Sequence, residues 1–123
     1  CMRILYVEDN PELRETIGML MEGEGRTVTP CATAEEALAL DAGDVFDVVV
    51  TDVSLPGLSG TELARQLLAD DPQRWVVLCS GYELGSHPRS WGPNVRALLK
   101  PFELEELEHL LESIHTALAS AAG

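Results

Sequence analysis

Lysine is almost absent from this 123-residue chain: of eight basic residues seven are arginine, and the one ammonium is Lys100. Basic charge of any kind is scarce, since 21 acidic residues against eight basic ones leave a net charge of −13. A surface field of that sign repels phosphate backbones and excludes direct nucleic-acid binding by this chain. Cysteine is sparse and unpaired in pattern: Cys1, Cys31 and Cys79 form no C-x-x-C spacing, which excludes a disulfide scaffold or a structural zinc site and fits a reducing compartment. Long apolar runs are missing too. The stretch before Glu8 and Asp9 is too short for a signal peptide, and no later run approaches membrane-spanning length, so a soluble cytoplasmic protein without membrane insertion is expected. Cys1 standing before Met2 reads as an added residue or as the start of a segment cut from a longer chain.

What the chain does have is apolar substance, 46% of its residues, in a regular alternation. Residues 4–7, 45–50, 75–79 and 95–99 are short aliphatic, mostly β-branched runs, the pattern of strands buried on both faces, and 27–29 makes a fifth. Helix starts lie between them. Asn10-Pro11 precedes Leu13, Ile17, Leu20 and Met21, while Thr33 to Glu36 and Ser59 to Glu62 are capping boxes, in which a hydroxyl and a carboxylate three residues apart satisfy helix N–H groups. Leu104, Leu107, Leu111, Ile114 and Leu118 recur every three or four residues and predict a docked amphipathic last helix. Residues 82–94 carry Gly85, Pro88, Gly92 and Pro93, so a fourth helix there is expected to be short or degenerate, and the small-residue end, 119–123, is expected to fray. Right-handed crossovers then give one α/β domain over residues 1–123: a five-stranded parallel sheet with helices on both faces.

In such a sheet ligands bind outside the carboxyl ends of the strands, and there the polar residues form a set. Strand one ends in Glu8-Asp9, strand three in Asp52, strand four in Ser80-Gly81 and strand five in Lys100-Pro101. Three like-charged carboxylates gathered at neighbouring strand ends repel one another unless a cation lies between them. Their donors are hard oxygens, which select a Mg²⁺-like ion that keeps several waters and awaits a phosphate. Lys100 adds a second positive charge and Ser80 a hydroxyl for the same anion. Each of these residues alone has an ordinary explanation as a cap, a turn former, a loop hydroxyl or a surface charge. Four strand ends bearing matched chemistry at one edge are hard to obtain by chance.

The motifs ILYVEDNPELR, VVVTDVSLPGLSGTEL, VVLCSGY and LLKPFELEEL make the chain resemble, over essentially its whole length, the receiver domain of bacterial two-component response regulators. That resemblance implies the doubly wound strand order 2-1-3-4-5 of flavodoxin-like sheets. It implies that Asp52 is the phosphoacceptor, that Glu8, Asp9 and Asp52 hold Mg²⁺ with the backbone carbonyl of Ser54, that Ser80 bonds a phosphoryl oxygen, and that Lys100 pairs with the phosphorylated carboxylate. The implied partner is a histidine kinase or a histidine phosphotransfer domain. One position departs from the family pattern: where a Tyr or Phe commonly stands three residues before the lysine, this chain has Ala97. A methyl group has nothing to swing inward, so the expected role is a phosphoryl relay or sink, or the receiver of a hybrid sensor kinase, and a monomer or weak dimer.

Other residues have plainer readings. His109 and His115 on the acidic last helix are expected to be solvated, Glu103, Glu105, Glu106 and Glu108 to favour the helix dipole and solubility, and Trp75 and Trp91 to anchor packing. Cys79 is expected in the core and Cys31 partly exposed. A nucleotide- or flavin-binding protein on the same fold is disfavoured, because EDNPE stands where glycines or hydroxyls would cradle phosphate. An aspartyl phosphatase is disfavoured because Ser54 stands where that chemistry uses a second acid. The alternative that stays open is a pseudo-receiver, which keeps the fold and docks a partner without being phosphorylated.

Overall fold

The computed structural model describes residues 2–23, 25–43, 46–53, 60–71, 73–80, 94–99 and 103–122, with backbone only for residues 80, 99, 104 and 120–122. The expected degenerate helix within 82–94, Trp91, Ser54, Lys100 and the Ser59 cap lie outside these residues, as does the side chain of Ser80.

Five strands, β1 (Met2–Val7), β2 (Arg26–Cys31), β3 (Val48–Asp52), β4 (Trp75–Ser80) and β5 (Val95–Leu99), form one parallel sheet in the order β2-β1-β3-β4-β5. The helices are α1 (Pro11–Met21), α2 (Ala34–Gly43), α3 (Gly60–Asp70) and α4 (Leu104–Ala122). Period-two alternation divides the strand residues between two cores. Ile4, Tyr6, Val48, Val50, Val77 and Cys79 pack with Met21 of α1 and with Leu107, Leu111 and Ile114 of α4. Leu5, Val7 and Val49 face the other way, onto Ala34 and Ala37 of α2 and Leu63 and Leu67 of α3. Because both faces are covered, each central strand carries consecutive apolar residues, Ile4–Val7 in β1, Val48–Val50 in β3 and Trp75–Cys79 in β4, and this is why it reads in sequence as a continuous run.

The helix starts behave as their sequences require. Asn10 caps α1, its Oδ1 accepting from the N–H groups of Glu12 at 3.0 Å and Leu13 at 3.3 Å, and Pro11 opens the first turn. At α2 the Thr33 hydroxyl accepts from Glu36 N–H at 3.1 Å, while the Glu36 carboxylate accepts from Ala32 N–H at 3.0 Å. The reciprocal capping bond therefore reaches one residue further back than the usual box.

Several boundaries differ from the sequence expectation. The third strand starts at Val48 rather than 45 and runs through Asp52. Asp47 lies just before it, its carboxylate accepting from Arg3 N–H and its N–H donating to the Arg3 carbonyl, both at 2.9 Å. The second strand spans six residues and includes Pro30, tolerated because β2 is a sheet edge. The chain end expected to fray is helical to Ala122, in keeping with alanine's high helix propensity. Cys31 is buried at 5% exposure, with its Sγ 3.6 Å from the Tyr6 carbonyl that accepts from it. Glu108 is also more than a solubilising acid, since it pairs with Arg26 at 3.1 Å and ties α4 to the start of β2. His109 and His115 are exposed, and half-buried Trp75 packs against the core with the Arg96 guanidinium 5.1 Å over its ring. Among the described residues no helix is long and apolar enough to cross a membrane.

Candidate functional site

The register brings the acids together. In the parallel pairing of β1 with β3, Val7 lies beside Thr51, so the next residues outward at the carboxyl edge are Glu8 and Asp52. One ligand oxygen from each of Glu8, Asp9 and Asp52 lies within 4.8 Å of the others. Their environments differ: Glu8 is buried at 2% exposure, Asp52 is half-buried and Asp9 is exposed. A buried carboxylate beside two more acids is costly without a compensating cation.

Glu8 and Asp52 are held by anchors on the main chain around them. The Glu8 N–H donates to the Cys31 carbonyl at 3.0 Å, which continues the β1–β2 ladder one residue past the strand, and the Glu8 carbonyl accepts from Arg14 Nη1 at 2.9 Å. Asp52 closes β3 in register with Cys79 of β4, and the following Val53 N–H donates to the Cys79 carbonyl at 2.9 Å. The Asp52 carbonyl accepts from the hydroxyl of fully buried Thr51 at 3.1 Å. From the other side Gly60, the first residue of α3, donates its N–H to the Val53 carbonyl at 3.1 Å. A Cβ on Gly60 would lie 2.0 Å from the Asp52 carbonyl oxygen, so this approach of helix to strand requires glycine.

The negative field of the cluster is felt beneath it. Burial pushes the Tyr6 hydroxyl far above the usual phenol range, and the charges of Glu8, Cys79 and Asp52 push it further, partly opposed by Arg14. Burial likewise pushes the Cys31 thiol up to about 12, with Glu36 adding to the rise and Arg14 opposing it.

The donor set fits a Mg²⁺-like ion. All three ligands are carboxylate oxygens, the hard donors that Mg²⁺ takes, and they lie within 4.8 Å of one another. Of the six site residues expected from sequence, Glu8, Asp9 and Asp52 are brought together. Ser80 is placed at the end of β4 by its backbone, and Ser54 and Lys100 fall outside the described residues. Arg14 and Gly60 were not expected. The available signals were an arginine four residues past the Asn10 cap and a glycine at the start of the helix after Asp52.

The doubly wound 2-1-3-4-5 sheet carries its acid cluster beyond β1 and β3, as a phosphoacceptor fold does. The chain belongs to the response regulator receiver domain family, whose model matches residues 4–112. Relatives and solved structures agree. The chain is 37% identical over 108 residues to the uncharacterized transcriptional regulatory protein YkoG of Bacillus subtilis, covering 85% of this chain and 46% of YkoG. It is 29% identical over 114 residues to the response regulator receiver protein CpdR of Brucella abortus, covering 91% of this chain and 95% of CpdR. Response regulator TrrA of Thermotoga maritima, solved in complex with Mg²⁺-BeF, superposes with a TM-score of 0.79 at 28% identity over 93% of this chain and 99% of TrrA. TrrA in complex with histidine kinase ThkA superposes with a TM-score of 0.81. The chain spans only 46% of YkoG and 17% of the C4-dicarboxylate transport transcriptional regulatory protein DctD of Rhizobium meliloti.

Proposed function

We propose that residues 1–123 form a single receiver domain that accepts a phosphoryl group on Asp52, in a Mg²⁺-dependent reaction, from the phosphohistidine of a histidine kinase or a histidine phosphotransfer domain. The observation that carries this is the convergence of Glu8, Asp9 and Asp52, with ligand oxygens within 4.8 Å of one another at the carboxyl edge. Glu8, Asp9, Asp52 and the backbone carbonyl of Ser54 would hold the ion. Mg²⁺ there supplies neutralisation of the charge on the transferring group.

The remaining work belongs to the chain's own side chains. A carboxylate oxygen of Asp52 forms the new bond to phosphorus as the phosphorus–nitrogen bond of the donor breaks and its histidine departs. Half-burial keeps Asp52 reachable from the edge while β3 and β4 fix its direction. Ser80 follows Cys79 at the end of β4 and hydrogen-bonds a phosphoryl oxygen. Lys100, directly after Leu99 of β5, pairs with the phosphorylated carboxylate. The chain thus catalyses a modification of itself and is not an enzyme acting on a separate pool of substrate.

Ala97 supports a relay or sink, or a hybrid-kinase receiver, over a switch. It is exposed on β5, where it lines a shallow hollow with Leu98, Glu105, Glu106, His109 and Leu110. We place the protein in the cytoplasm as a monomer or weak dimer, and the net charge of −13 supports the absence of nucleic-acid contact by this chain.

The test is incubation with Mg²⁺ and a small phosphodonor. A hydroxylamine-labile phosphoryl adduct should form in the wild type, and Asp52→Asn or chelation of the metal should abolish it. A wild type that stays unmodified would support the pseudo-receiver alternative.

A further inference from the structure

Arg14 is bonded on both sides of Asp9. Its backbone N–H donates to the Asn10 carbonyl at 2.9 Å, and its side-chain Nη1 donates to the Glu8 carbonyl, also at 2.9 Å. One residue of α1 therefore closes a bracket around the turn that carries two of the three clustered acids. The ends of that turn are fixed independently: the Glu8 N–H is tied to Cys31 of β2, and the Asn10 side chain is engaged in capping α1. The Glu8–Asp9 peptide between them sets the direction of both carboxylates, and its carbonyl is the group that Arg14 grips.

The Arg14 side chain is well placed for this. It is half-buried, and with Gly18, Met19, Val28 and Pro30 it lines a hollow of about 210 Å³ between α1 and β2. Its bond goes to a carbonyl oxygen, so it steadies the loop while taking up none of the Glu8 or Asp9 carboxylate oxygens through that contact.

We propose that Arg14 is a positioning residue for cation binding: by gripping the Glu8 carbonyl it holds the Glu8–Asp9 peptide in the orientation that presents both carboxylates to the metal. This rests on the reading above that the cluster binds Mg²⁺. Charge and positioning predict opposite signs for the same substitution. If Arg14 acted only as a nearby positive charge, its removal would relieve repulsion and tighten Mg²⁺ binding. If it positions the loop, its removal weakens binding, as loss of a residue that orients metal ligands does.

Mg²⁺ is titrated calorimetrically into metal-free wild type and into Arg14→Met, Arg14→Lys and Met19→Gln, with thermal unfolding in chelator recorded for each. Arg14→Met should bind about tenfold more weakly, and Arg14→Lys, which keeps a donor, should stay within about threefold of wild type. Met19, on the same helix and 68% exposed, should leave affinity unchanged when replaced. Arg14→Ala, which likewise has no donor, is predicted to lose affinity as Arg14→Met does and decides the matter should the methionine variant unfold. Binding by Arg14→Met, or by Arg14→Ala in its place, equal to or tighter than wild type overturns the proposal and leaves the Mg²⁺ reading intact. A wild type that takes up no Mg²⁺ overturns both.

Discussion

Gly60 and Asp52 stand in backbone contact: a methyl group added at Gly60 would sit 2.0 Å from the Asp52 carbonyl oxygen and 2.9 Å from the Val53 Cα. The first turn of α3 is thereby pressed against the end of the strand that carries the proposed phosphoacceptor. Both obstacles are main chain, so neither can rotate away.

Gly60→Ala should therefore lower unfolding free energy by about 1–3 kcal/mol, the usual cost of forcing extra atoms into a packed site. Urea denaturation reads this directly. The forced shift falls on the backbone of Asp52, so the phosphorylation rate of the folded fraction should drop as well. Gly43, at the end of α2, has open space around its Cβ position, so Gly43→Ala should neither destabilise the fold nor slow phosphorylation.

Mg²⁺ should stabilise the fold by linkage, since it binds a cluster that exists only when β1 and β3 are paired. At a free concentration one hundred times the dissociation constant the gain is about 2.7 kcal/mol. Thermal unfolding with and without the ion checks this. Asp9→Asn, which removes an exposed ligand without disturbing the core, should abolish most of the gain and, by relieving repulsion among the clustered acids, raise metal-free stability.

Cys31 links stability to alkaline pH. Its thiol is pushed up to about 12 by burial and then by Glu36, against an ordinary value of 9.0. The folded state holds this proton more tightly than the unfolded state does, so its contribution is constant below pH 9 and is lost as pH rises from there toward 12. Wild type and Cys31→Ala should accordingly show a constant stability difference below pH 9 and a changing one above it, with wild type falling faster. Parallel curves throughout would contradict the assignment.

Ala97 makes a prediction about assembly. With no aromatic side chain at this exposed position of β5, phosphorylation has no large group there to bury or release. Light scattering of the protein with beryllofluoride and Mg²⁺ should show the mass of the unmodified protein. A stable dimer formed only with the phosphoryl mimic would argue for a switch and against a relay or sink.

The sequence exposed those parts of the site that depend on local pattern. Glu8, Asp9 and Asp52 were legible because a strand buried on both faces ends where polarity begins, and parallel topology places such ends at one edge. The start of β3 is not legible in the sequence because Val45 and Phe46 are as apolar as the strand itself. What ends the strand there is the paired backbone and side-chain bonding of Asp47 to Arg3, a contact between residues 44 positions apart. Arg14 and Gly60 were illegible as site residues for a related reason. The guanidinium acts through a reach back across the turn, and the glycine through an approach of helix to strand, neither of which leaves a periodic trace. Cys31 shows the same limit, because burial at a sheet edge depends on what the helices cover.

The central claim is that Asp52 carries the phosphoryl group. After incubation with Mg²⁺ and a small phosphodonor, borohydride reduction converts an aspartyl phosphate to homoserine, which peptide mass spectrometry then locates. Homoserine at position 52, absent when the metal is chelated, is the predicted result. Homoserine at position 9 or elsewhere, or none at all, would contradict the account.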